Sequence, residues 1–174
     1  MERHSNYIKT ESPLNWDEYF MLQAMLASFR SKDPTTQVGC VLVDQNNHQI
    51  SMGYNGFVAG IDEAKLPWGK EDADLVDQKY GYVVHAESNA ILHSTKSLEG
   101  STAYVTLFPC HECAKMIASK KVKEVVYLSD KHADRDYSPV AKKIFELSAI
   151  TTRSVEINDE LVDKLHHYLM KFPR

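Results

Sequence analysis

Residues 102–129 read TAYVTLFPCHECAKMIASKKVKEVVYLS. Within them Thr102–Leu107 reads as a strand, Cys110–Ser119 as a helix and Glu124–Leu128 as a second strand. Pro109 favours a helix start there, since a first-turn N–H has no intrahelical partner to lose. The alternation of strand and helix continues in both directions. Upstream, Asn15 with Glu18 resembles a capping box for a helix from about Trp16 to Arg30. Its apolar residues (Trp16, Phe20, Met21, Ala24, Met25, Ala27) cover a broad face, which predicts burial on more than one side. The polar turn Ser31–Thr36, with Pro34, halts that helix, and Val38–Val43 and Gln49–Gly53 follow as a hairpin about Asp44–Asn47. A long connection over 57–80, with a short helix near Glu71–Asp77, leads to His85 and a helix from Glu87 to about His93. Downstream, Ser138-Pro139 opens a helix to about Ser148, and Thr152–Ile157 is a fifth strand. Asn158 caps a last helix to Met170, on which Leu161, Leu165 and Leu169 form a packing stripe. Strands alternating with helices predict an α/β fold, a three-layer α/β/α sandwich about a five-stranded mixed sheet. Residues 1–14 read as a polar arm on a single domain spanning 1–174.

The chemistry lies in two short segments, His85-Ala86-Glu87 and Pro109-Cys110-His111-Glu112-Cys113. Cys110 and Cys113 stand three apart, so in one helical turn both sulfurs face the same way. Free N–H groups of a first turn stabilise thiolates, the form that binds metal. With His85 they supply three ligands, which leaves one tetrahedral position open for water. His85 and Glu87, two apart, would point to nearly opposite sides of an ideal helix. They can share one centre only if His85 lies at or before the helix cap and Glu87 in the first turn. A lone Cys-x-x-Cys is more often a structural zinc half-site or a redox pair. A structural site, however, wants four protein ligands, and the remaining thiol, Cys40, has no Cys or His partner at short spacing.

Composition narrows the partners. Hydrophobic residues make up 43% and charged residues 25% of the chain, as in an ordinary globular protein. No apolar run is long enough to span a bilayer, so no membrane role is expected. Three cysteines, two of them claimed by metal, point to a reducing, cytoplasmic setting. The net charge of −4, with no Lys/Arg tract, argues against nucleic acid as a partner and for a small nucleotide.

His-x-Glu followed by Pro-Cys-x-x-Cys is similar to the signature of zinc nucleobase deaminases, in which the glutamate is a general acid and base and not a ligand. The resemblance is wider than that. Arg30–Pro34 (RSKDP) with Gln37-Val38-Gly39, Gly53-Tyr54-Asn55-Gly56, Leu66-Pro67-Trp68, His85–Ile91 (HAESNAI), Tyr104–Cys110 (YVTLFPC) and Ile117 through Lys131 resemble the deoxycytidylate (dCMP) deaminase family over most of residues 16–150. The resemblance implies a cytidine-deaminase-like fold and the hydrolysis of dCMP to dUMP and ammonia. Its implied site has His85, Cys110 and Cys113 on one Zn2+ per subunit and Glu87 as the catalytic residue. It places Asn55 on the deoxyribose 3′-hydroxyl, the Ala86 main chain on the pyrimidine edge, and Thr35 near the 5′-phosphate. It further implies a homohexamer activated by dCTP and inhibited by dTTP, with Mg2+ accompanying the effector. The implied effector surface includes Ser31, Lys32, Asp33, Gly56 and Phe57, with neighbours across a subunit contact. Two positions depart from the family. Ser88 stands where a larger apolar residue is usual and Cys40 where a small one is common, and neither is expected to touch a ligand. With only Cys40 left over, no second zinc is expected.

Overall fold

The computed structural model describes residues 13–71 and 74–171. The expected arm therefore falls almost wholly outside the described residues, as do two positions of the helix expected near 71–77. In chain order the elements are α1 (Trp16–Ser28), β1 (Gly39–Val43), β2 (Gln49–Tyr54), β3 (Gly56–Phe57), β4 (Val83–Val84), α2 (Ala86–Leu92), β5 (Thr102–Leu107), α3 (His111–Ser119), β6 (Glu124–Ser129), α4 (Tyr137–Leu147), β7 (Thr151–Ser154) and α5 (Asp159–Met170).

Helix α1 starts with the capping box read from the sequence. Asn15 Oδ1 accepts the Glu18 N–H at 2.9 Å, and the Glu18 carboxylate accepts the Asn15 N–H at 2.8 Å. Its burial is one-sided, against expectation. Phe20, Met21, Ala24 and Ala27 are buried, whereas Trp16 is 54% exposed and stacks on Phe20 with ring centroids 5.5 Å apart.

The main sheet has the order β2-β1-β5-β6-β7. β1 runs antiparallel to β2 and β5, while β5, β6 and β7 are parallel to one another, so the sheet is mixed as expected. Helices cover both faces, and the period-two alternation of strands sorts the core into two layers. Cys40, Leu42, Ala103, Val105 and Val125 face the side of α2, α3 and α4, where Ala90, Ile117 and Phe145 pack. Val41, Val43, Tyr104 and Val126 face α1, where Phe20, Met21 and Ala24 pack. This explains why β1 is buried along its whole length and reads as a continuous apolar run. Gly39 and Gly53 let helices approach that sheet. A Cβ on Gly39 would collide with the Ala24 carbonyl of α1, and one on Gly53 with the Ala86 carbonyl and Ala90 N of α2.

Three expectations change at the periphery. The long connection folds into 3-10 turns at Glu63–Lys65, Leu75–Asp77 and Lys79–Gly81, and its ends pair as the ribbon β3–β4. β7 ends earlier than predicted and is exposed throughout; beyond it Val155 still donates its N–H to the Tyr127 carbonyl at 2.9 Å, and Val155 and Ile157 pack on the α1 side. On α5, Leu161 is buried but Leu169 is 60% exposed, so the leucine stripe packs only at its beginning. Among the described residues no helix is long and apolar enough to cross a membrane.

Candidate metal and catalytic site

Two helix starts meet at one point of the α2–α3 layer. His85 is the N-cap of α2, in extended backbone with φ −69° and ψ 159°, and Glu87 lies in the first turn. This is the arrangement that the two-residue spacing required. Cys110 is the N-cap of α3 (φ −69°, ψ 170°) and not its first helical residue, with Cys113 in the first turn. The Nδ1 atom of His85 lies 3.4 Å from the sulfur of Cys110 and 3.4 Å from that of Cys113. The three donor atoms are within 4.8 Å of one another, and among the described residues no other His, Cys, Asp or Glu joins them. One imidazole and two sulfurs form a donor set that suits zinc, with a count that leaves a tetrahedral corner for a non-protein ligand. Exposure grades across the set, from exposed His85 through half-buried Cys110 to buried Cys113, so the cluster lies at the surface with one side open. His111, between the two cysteines, is not in the set. Its ring stacks on Tyr137 with centroids 5.9 Å apart, and its Nε2 lies 3.0 Å from Glu112.

The electrostatics follow from burial and from the paired donors. Without metal, the Cys110 thiol is pushed down to about 4, first by its contact with Cys113 and then by His85. His85 is raised to about 9, chiefly by Cys110. Cys113 is held well above the ordinary thiol value by Cys110 and by burial. Glu87 is 5% exposed, and burial raises its carboxyl above the usual range, an effect only partly offset by the His85 charge. A carboxyl poised in this way can both take up and give back a proton.

Ser88 corrects one expectation. Its hydroxyl lies 3.8 Å from the Cys113 sulfur, because α2 and α3 pack with their first turns side by side. Cys40 is fully buried in β1, and the negative charge of Glu87 adds to the burial that raises its thiol.

The residues expected to hold substrate are Asn55, Ala86 and Thr35. Gly56 pairs with Val84, which places the preceding Asn55 across from His85. Asn55 is buried instead of presented by a loop: its Oδ1 accepts the Val38 N–H at 2.8 Å and its Nδ2 donates to the Thr36 carbonyl at 2.9 Å. Ala86 is fully buried between His85 and Glu87. Thr35 is exposed, and its hydroxyl contacts Asp33 and Lys79. Lys79 carries no signal in the sequence, since its partner Asp33 is 46 residues away.

The expected effector residues divide between two sides. Lys32, Gly56 and Phe57 line a cleft of about 460 Å³ together with Arg30, Tyr54 and Trp68. Ser31 and Asp33 are buried, and Asp33 turns to Lys79.

A five-stranded mixed sheet covered by helices, with His-x-Glu and Cys-x-x-Cys at neighbouring helix starts, defines a zinc-dependent deaminase. The family described as the cytidine and deoxycytidylate deaminase zinc-binding region matches residues 14–129. The deoxycytidylate deaminase of Homo sapiens is 42% identical over 146 residues, which cover 83% of this chain and 82% of that protein. A probable deoxycytidylate deaminase of Drosophila melanogaster is 44% identical over 144 residues, covering 79% of this chain and 71% of that protein. Among solved structures, the dCMP deaminase of cyanophage S-TIM5 in complex with dCMP and dUMP superposes with a TM-score of 0.65 at 26% identity, covering 83% of this chain and all of that one. The chain belongs to the deoxycytidylate deaminases.

Proposed function

We propose that this chain hydrolyses dCMP to dUMP and ammonia, and that His85, Cys110, Cys113 and Glu87 carry the reaction. The observation that supports this most is the convergence of three zinc-type donors, with no fourth among the described residues, on the first turn that holds a buried carboxyl. Zinc bound there supplies a Lewis acid that lowers the pKa of a bound water towards ~7. Glu87 takes a proton from the attacking water, delivers it to N3 of cytosine, and then carries the proton of the new C4 hydroxyl to the departing amino group, leaving the C4 carbonyl. Water adds at C4 and ammonia leaves, so atoms and charge balance. The Ala86 main chain holds the pyrimidine edge, while Thr35 and Asn55 serve the sugar and phosphate end. A free nucleotide needs no flipping from a stack, which suits a chain of net charge −4.

The regulatory reading extends this. The cleft lined by Arg30, Lys32, Tyr54, Phe57, Glu63 and Trp68 combines the Arg30 cation and a Lys32 that an effector phosphate would take from Glu63, 2.7 Å away, with aromatic faces for a base, which supports it as the place for dCTP or dTTP with Mg2+. Phe29 and Leu92, at 68% and 72% exposed, are the sequence neighbours of two of its lining residues, Arg30 and His93. They supply apolar surface for a subunit contact in a cytoplasmic homohexamer. Rates on dCMP, deoxycytidine and a cytosine-containing oligonucleotide, with and without each triphosphate, test both levels. Preference for dCMP, raised by dCTP and lowered by dTTP, is the expected outcome. Preference for the nucleoside or the oligonucleotide contradicts the substrate, and rates indifferent to both triphosphates contradict the regulation.

A further inference from the structure

The residue after Glu87 takes no part in the chemistry above, yet it touches the metal cluster. Ser88 is the third residue of α2 and half-buried, and its Oγ lies 3.8 Å from the sulfur of Cys113, 25 residues further on in α3. A serine within a helix commonly turns back to the carbonyl four residues before it. Here that carbonyl belongs to Val84, and among the described residues the Ser88 hydroxyl makes no bond to it; Cys113 is its one hydrogen-bond partner. The two sulfurs draw their donors from different helices. Cys110, the N-cap of α3, takes the N–H of Cys113, a bond that its own helix supplies. Cys113 lies inside that helix, is 1% exposed, and is met by Ser88 from α2.

Metal binding fixes the direction of this contact. In the metal-free cluster either atom can donate. As a zinc ligand Cys113 is a thiolate, and a thiolate only accepts. His85 Nδ1, 3.4 Å from the same sulfur, gives up its proton to become a ligand itself. Glu87, whose carboxyl also reaches Cys113, is only an acceptor when ionised and sets a negative charge beside the sulfur. Of these three side chains, Ser88 alone can then donate. A buried thiolate next to a carboxylate is costly unless a donor compensates it, and a hydrogen bond to an ionised acceptor is stronger than a neutral one. The same bond draws charge from the sulfur, which leaves a bound metal a stronger Lewis acid.

We propose that Ser88 is a positioning residue of the metal site, whose hydroxyl donates to the Cys113 thiolate of the zinc-loaded protein and so helps to retain the metal. The larger apolar residue that is usual at this position in the family has no proton to give, so the bond belongs to this chain. The inference rests on zinc at His85, Cys110 and Cys113 and is independent of the substrate.

The test measures zinc affinity by competition with a chelator, and the absorption spectrum of the cobalt-substituted protein, for wild type, Ser88→Ala and Ser88→Thr. Alanine suits a helix better than serine, so Ser88→Ala keeps the fold. In that variant the affinity for zinc is expected to fall about tenfold. Its sulfur-to-cobalt charge-transfer band is expected to move to longer wavelength, because a thiolate without a donor yields its electrons more readily. Ser88→Thr keeps the hydroxyl and stays near wild type in both. A wild-type affinity or an unmoved band in Ser88→Ala overturns the proposal, and so does a threonine variant that behaves as the alanine one. The band separates the hydrogen bond from packing, since a side chain that merely fills space would leave the sulfur's electrons as they are. Wild type that binds neither metal refutes the metal site itself and this inference with it, an outcome distinct from any difference among the variants.

Discussion

His85 and Glu87 are two residues apart, yet the side chains of both reach Cys113 because the helix begins between them. That geometry was legible in the sequence, since a histidine in extended backbone followed by a carboxylate in the first turn is the one local arrangement that satisfies the spacing. The cysteine pair was legible for the same reason, three positions spanning a cap and a first turn. What the sequence could not show are contacts between distant segments, such as Ser88 with Cys113 at 25 residues and Lys79 with Asp33 at 46. At this scale the titration of the metal-free cluster gives a prediction. With Cys110 at about 4 and His85 at about 9, a thiolate faces an imidazolium at neutral pH, and Cys113 still holds its proton. Zinc requires two thiolates and a neutral imidazole, so loading at pH 7 should expel about two protons per ion. Affinity then rises with pH, by about two protons per ion below about 9 and by one above it, where the imidazole has given up its proton and Cys113 still holds its own. Calorimetry of zinc binding in buffers of different ionisation enthalpy counts the protons. No net release would contradict this charge state.

At the scale of elements, the metal site depends on how closely α2 lies on β2. Gly53 permits that approach, the Ser51 hydroxyl donates to the Ala90 carbonyl at 2.7 Å, and the Asn89 side chain donates to the Tyr54 carbonyl at 2.8 Å. Gly53→Ala is expected to push the start of α2 off the sheet and to carry His85 and Glu87 with it. Destabilisation of about 1–3 kcal/mol should accompany lowered zinc occupancy, measured by metal analysis and thermal unfolding. Full zinc content with unaltered stability would show that the contact does not set the site. The order of strands and helices was readable because core-facing residues recur with the periods of the elements that hold them, from the capping box of α1 to the apolar run of β1. The misreadings concern exposure at Trp16 on α1 and at the end of α5, and the extent of β7. Apolar pattern reports the tendency to be covered, and the extent of the layers decides what is. The ribbon β3–β4 went unread because two-residue strands leave no period to detect.

For the whole molecule, the sheet is a frame that brings two helix starts to one end and leaves the opposite layer to α1. Arg153 binds the far side together, its guanidinium 2.6 Å from Asp17 on α1 and 2.9 Å from Glu124 on β6, with the Tyr104 hydroxyl donating to Asp17 at 2.9 Å. The frame explains the position of the chemistry, and family membership explains its kind. The central claim is that Glu87, buried beside a three-donor zinc site, moves the protons of a hydrolytic deamination. Its most direct measurement is ammonia and dUMP formed from dCMP by the zinc-loaded protein, alongside Glu87→Gln brought to the same zinc content. The account predicts one ammonia for each dUMP in the wild type and a loss of at least about 100-fold in the variant, with zinc retained. A variant that turns over dCMP at near wild-type rate, or a zinc-loaded wild type that releases no ammonia, would contradict it.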